Sequence, residues 1–188
     1  MSRAAFTRKR VGYLLFVISA IGIFIGWLYF DKYNLPNEPG AIETGIQALL
    51  DEGRPDRVQP KVIEVRQLGS SASYVALLQL QDKQIGYAQL LRGWNGRFQL
   101  VRAGYGSSPV SYEEVETDEG RYGIILGRNA GLQLDHVTAK LAGDYIFTVG
   151  VAGEGLFMKL QRLPRQLQRT TPVTLEAFDE DNRVIEQF

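Results

Sequence analysis

The side chains able to do chemistry are few, and their spacing is loose. The densest charge lies in Glu113-Glu114-Val115-Glu116-Thr117-Asp118-Glu119. On a strand, Glu114, Glu116 and Asp118 fall on one face and can present carboxylates to Ca²⁺ or Mg²⁺. Two carboxylates about 5–10 Å apart also suffice to cleave a glycosidic bond, which makes Glu113, Glu114 and Glu116 the first residues to suspect of hydrolysis. No calcium-loop spacing is present, however, and such a run equally marks a solvated edge strand protected by charge. His136 is the single histidine. Its neighbour Asp135 is a poor partner for it on a strand, where adjacent side chains point to opposite faces. No G-x-S-x-G supplies a serine nucleophile.

The remaining motifs are structural. Asp179-Glu180-Asp181-Asn182 joins two apolar runs as a turn and lacks the glycine and terminal Glu of an EF-hand. Gly104-x-Gly106 and Gly150-x-x-Gly153-x-Gly155 complete no nucleotide-binding loop. The chain has no cysteine, which excludes disulfides, thiolate chemistry and Cys-ligated metals. The sequence therefore sets out no catalytic group, no metal site and no cofactor. Its candidate contacts are aromatic: Trp94, at the tip of an expected hairpin, and Tyr105 are the residues expected to face a partner.

The elements that position these residues follow from hydrophobic period. Ile42, Ile46, Leu49 and Leu50 recur on one helical face, so a helix is expected over Ala41–Glu52, stopped by Gly53 and Pro55. Val62–Arg66 and Ser73–Leu80 then alternate as strands, with Tyr74, Ala76, Leu78 and Leu80 on one face. Gln84–Arg92 and Arg97–Ala103 flank Gly93-Trp94-Asn95-Gly96, a strong hairpin signal. Residues 41–106 thus read as a small α+β module, one helix on an antiparallel sheet.

The breakers Gly104–Pro109 mark a boundary. Beyond it, Val110–Thr117, Tyr122–Leu126, His136–Leu141, Tyr145–Val151, Leu156–Leu160, Val173–Phe178 and Val184–Phe188 read as short strands. Their regular spacing predicts an all-β, Ig-like sandwich over 107–188, with one continuous sheet through both halves as the alternative.

The most informative stretch lies before all of these. Val11–Phe30 is uncharged, and twelve of its twenty residues are Val, Leu, Ile or Phe. Twenty residues of helix span about 30 Å, the thickness of a bilayer core. Trp27, Tyr29 and Tyr33 gather at its far end, where amphipathic rings favour headgroups. Arg3, Arg8, Lys9 and Arg10 precede it, and only Lys32 follows within fifteen residues. The positive-inside rule then makes 1–10 a cytoplasmic tail, 11–30 a signal anchor, 31–40 a linker, and the rest extracytoplasmic. The run continues ten residues past Ala20 without an A-x-A box, which favours an uncleaved anchor over a signal peptide. Ser19, Gly22 and Gly26 form a small-residue face suited to helix–helix contact and oligomerisation.

With the four basic tail residues set aside, seventeen Lys/Arg meet twenty-one Asp/Glu, a net charge of −4 outside the membrane. That balance disfavours nucleic acid and polybasic lipid binding.

Tyr122, Gly127-Arg128-Asn129, Val137 and Phe178-Asp179 resemble a pattern found in uncharacterised single-pass proteins of Gram-positive bacteria. The resemblance implies a small extracytoplasmic β-domain and brings no activity. The sequence thus leads to a membrane-anchored binding or adaptor protein whose partner is a protein or envelope component. The alternatives are a carboxylate-dependent envelope hydrolase, or an accessory subunit recognised through its membrane helix.

Overall fold

The computed structural model describes residues 3–52, 57–167 and 170–188, with side chains from Gly12 onward. Two units emerge, residues 1–34 and Leu35–Phe188. The first is helix α1, Arg3–Lys32, which contains a 21-residue stretch, Gly12–Lys32, of mean hydropathy 2.1. By length and composition this stretch can cross a bilayer. Its apolar side chains stand exposed, Phe16 and Ile23 among the most open.

The second unit begins with helix α2, Pro39–Asp51. Pro39 and Gly40, assigned to the linker from sequence, form its first turn instead. Proline is preorganised for the first helical position and lacks only an N–H that would go unbonded there. Ile42, Ile46 and Leu50 are buried, while Leu49 remains at the rim, about a third exposed. The stop assigned to Gly53 and Pro55 lies outside the described residues. Strands β1 (Lys61–Gln67), β2 (Ser73–Gln79), β3 (Ile85–Arg92) and β4 (Phe98–Gly106) then form an antiparallel sheet in sequence order. A bulge between Val62 and Glu64 pushes Ile63 outward, so Val62 and Val65 face α2 together.

Strands β5 (Val110–Thr117), β6 (Gly120–Arg128) and β9 (Leu156–Arg162) form a second sheet, ordered β5-β6-β9. Strands β7 (His136–Leu141), β8 (Tyr145–Gly150), β10 (Val173–Phe178) and β11 (Val184–Gln187) form a third, ordered β11-β10-β7-β8. The breakers Gly104–Pro109 fall where the chain leaves the first sheet for the second.

Three buried clusters define the packing. α2 and one face of the first sheet enclose Ile46, Ala76, Leu78, Ala88, Leu90 and Phe98. The opposite face of that sheet, with Val75, Leu77 and Ile85, meets Val115, Ile124, Leu126 and Met158 of the second. The far side of the second sheet, through Val110, Ile125 and Phe157, meets Val137, Ala139, Phe147 and Leu175 of the third. The second sheet is therefore apolar on both faces. The two halves expected from sequence share a core without sharing a sheet. The outer face of the third sheet is polar, with Thr138 hydrogen-bonded to Thr148 at 2.8 Å and Lys140 paired to Glu176.

Candidate functional site: a loop-built acidic cleft

Strand parity sorts the loops of the second unit to two ends. At one end the chain enters: Leu35 N–H donates to the Phe98 carbonyl at 3.0 Å, and Phe98 N–H returns the bond at 2.7 Å. The Gly93–Gly96 turn lies there, as does the β1–β2 turn, since Arg92 N–H donates to the Ala72 carbonyl at 2.8 Å. The β5–β6 turn joins them through Glu119, which accepts from the Ser70 hydroxyl and from the Ser70 N–H at 3.2 Å. Those hydrogen bonds, the hydroxyl's foremost, hold the Glu119 carboxyl below its usual range.

The opposite end carries a cleft of about 700 Å³ between the β6–β7, β8–β9 and β10–β11 loops. Asn129 ties the walls together. Its Nδ2 donates to the carbonyls of Leu134 at 2.8 Å and Val151 at 3.1 Å, and its Oδ1 accepts from Leu134 N–H at 2.7 Å. Val151 N–H donates to the Asp135 carbonyl, and Asp135 N–H to the Phe178 carbonyl, both at 2.8 Å. The loops thereby close on one another and do not hang free of the sheets.

Among the described residues, five carboxylates line this cleft, Asp135, Glu154, Asp179, Glu180 and Asp181, and no Lys or Arg does. Part of the charge is used locally. Glu154 pairs with Lys159, Asp181 lies 3.2 Å from Arg183, and Asp179 Oδ1 accepts from the Asp181 and Arg183 N–H groups. The lining nonetheless suits a cation, because the paired Lys159 and Arg183 are not themselves among the cleft's lining residues.

The His136 expectation needs correcting. Asp135 precedes β7, so strand alternation does not separate the two side chains, and Asp135 Oδ2 lies 2.9 Å from His136 Nδ1. The imidazole stacks on Phe178 at 4.7 Å, its cross-strand neighbour. Asp135 lines the cleft, whereas His136 and Phe178 stand behind it.

The acidic run does not converge on one point. Glu113 sits on the Val115 face of β5, toward the first sheet and beside Tyr87. Burial first, and the neighbouring Glu113 second, push the Tyr87 phenol up to about 12. Glu114 sits on the other face, 3.3 Å from Arg121. Tyr112 beside it is likewise raised, by burial first and by Glu114 second. Glu116 and Asp118 are exposed. β5 is an edge strand, and its charges fall on both sides of it. Among the described residues no group of three or more His, Asp or Glu side chains is placed to hold a metal.

Trp94 and Tyr105 lie at opposite ends of the β3–β4 hairpin. Trp94 is 77% exposed at the turn, and Tyr105 is half-buried opposite Gly86. Gly22 and Gly26 have open space where a Cβ would stand. The cleft itself escaped the sequence reading because each of its loops read as an isolated turn. The available signal was that Asp135, Glu154 and Asp179–Asp181 all follow strands of one parity. Compared with protein-family models, curated proteins and solved structures, the chain matches none.

Proposed function

We propose that this chain is a membrane-anchored extracytoplasmic binding protein, without catalytic activity of its own, that takes a cationic segment of a protein or envelope component in the acidic cleft. On this reading α1 is a single-pass signal anchor with its N-terminus in the cytoplasm. The second and third sheets form an Ig-like sandwich, supported by the core that Ile125 and Phe157 share with Val137 and Leu175. The observation that carries the reading is the cleft's place and lining: loops at the end opposite Leu35, with five carboxylates and no Lys or Arg among the described residues. Ser19, Gly22 and Gly26 offer a second, lateral contact through the membrane helix.

The test is calorimetric titration of the full chain, in nanodiscs of zwitterionic lipid, with hexalysine and with hexaglutamate. Hexalysine should bind, weaken with added salt, and bind less to E180Q/D181N, two exposed positions whose loss leaves the Asn129 bonds intact. Equal affinity of that variant for hexalysine, or binding of hexaglutamate, would overturn the assignment.

A further inference from the structure

The turn that ends the β3–β4 hairpin has the composition of a membrane-surface contact, and it stands four residues from Phe98, the strand position that pairs with Leu35. Leu35 is three residues past Lys32, the last residue of α1, so the chain holds it within about 11 Å of that helix end whatever the angle between the two units. Leu35 is then fixed inside the second unit. It exchanges two backbone hydrogen bonds with Phe98, and its side chain fills the space beside Gly45, where an added Cβ would lie 2.7 Å from Leu35 Cδ1. Four residues before Phe98 stands Trp94. The Gly93–Gly96 turn that presents it is closed by Gly93 N–H on the Arg97 carbonyl at 2.8 Å, with Gly96 at φ +77°. The other end of the same hairpin, at Gly106, is eight residues and about 27 Å further along β4.

The chemistry of the turn matches that placement. Trp94 is 77% exposed, more open than the other large apolar side chains of the second unit. Indole favours the headgroup layer, where its ring meets acyl chains and its N–H meets water. Arg92 and Arg97 flank the turn and are exposed, and guanidinium pairs well with lipid phosphate. The far end of α1 supplies Trp27, Tyr29 and Tyr33, side chains of the same interfacial type.

We propose that the Gly93–Gly96 turn seats in the lipid headgroup layer where α1 leaves the bilayer, with the Trp94 ring at the acyl boundary and Arg92 and Arg97 on lipid phosphates. This rests on α1 being a membrane span.

The chain has two tryptophans, so single substitutions isolate each one. W27F leaves Trp94 alone and W94F leaves Trp27 alone. Each full-length variant is reconstituted into phosphatidylcholine/phosphatidylglycerol vesicles, with and without bromine at the acyl 6,7 positions, and titrated with aqueous iodide. Trp94 in W27F should lose emission to the bromolipid, resist iodide, and regain iodide sensitivity when R92Q/R97Q is added. Emission of Trp94 unchanged by bromolipid and freely quenched by iodide would overturn the proposal and leave the turn exposed for a protein partner. W94F reports separately on the span: Trp27 unquenched by bromolipid would refute the membrane reading itself, whatever Trp94 does.

Discussion

The consecutive pair Ile124 and Ile125 tests the packing directly, because neighbours on a strand point to opposite faces. Both are fully buried, Ile124 against the first sheet and Ile125 against the third. Truncating either to alanine removes three carbons. At about 0.8 kcal/mol per buried carbon this costs ~2.4 kcal/mol in transfer, and the residual cavity brings the total to about 3–4 kcal/mol. Against a typical domain stability of about 5–15 kcal/mol, that is a large fraction. The assay is urea unfolding of the full chain in nanodiscs, followed by near-UV circular dichroism of the tyrosines. For a slope of about 1–3 kcal/mol/M, each variant should lower the midpoint by roughly 1–4 M. Ile146→Ala is the control, since Ile146 is 54% exposed on β8 and should move stability by only about 0.5 kcal/mol. If either Ile124→Ala or Ile125→Ala behaves like that control, one face of β6 is solvated and the three-sheet stack is wrong.

Three further outcomes follow from the same geometry. A Cβ at Gly127 would lie 2.3 Å from Cζ of buried Phe157, so Gly127→Ala should cost about 1–3 kcal/mol in the same urea assay. Asn129→Ala removes two side-chain hydrogen bonds to Leu134 in its own loop and one to Val151 in the next, and amide exchange at Leu134 should accelerate while exchange within β2 stays unchanged. The Tyr87 phenol is raised from 10.0 to about 12, so between those values the folded state holds a proton that the unfolded state has lost. Its contribution is fully present below pH 10 and is lost as pH rises toward 12. Tyr87→Phe should therefore show a shallower alkaline loss of stability over that window, measured by thermal melts at pH 9–12.

Most elements were legible because their periods are clean. Asn95-Gly96 forms the turn expected of it, and Asp179–Asn182 closes the β10–β11 hairpin with Asn182 at φ +59°. The boundaries shifted mainly where backbone chemistry outranks pattern, as at Pro39. What period-2 reading missed is burial on both faces. Val75-Ala76-Leu77-Leu78 and Ile124-Ile125-Leu126 are near-continuous apolar runs, the signature of strands covered on both sides, yet a meander is ordinarily covered on one. Bulges were invisible too, since only cross-strand register reveals that Ile63 and Val101 turn outward. The cleft was hidden for a related reason: loops distant in sequence become neighbours only once strand order is known. The residues behind the family resemblance prove to be structural pins. Tyr122 is buried between sheets, Gly127 makes room for Phe157, Arg128 donates to the Lys83 carbonyl at 2.9 Å, and Asn129 ties the loops.

The central claim, an exterior cleft that binds a partner, is tested most directly in intact cells. The chain lacks cysteine, so Ala152→Cys in the cleft wall carries the sole thiol, and Val101→Cys on β4 serves as the control. A membrane-impermeant, photoactivatable maleimide is attached to each and illuminated. Both positions should label from outside, and Ala152→Cys alone should form a discrete adduct, lost when E180Q/D181N is added. Labelling only after the cells are broken would contradict the orientation, and an adduct indifferent to E180Q/D181N would contradict the cleft as the site of binding.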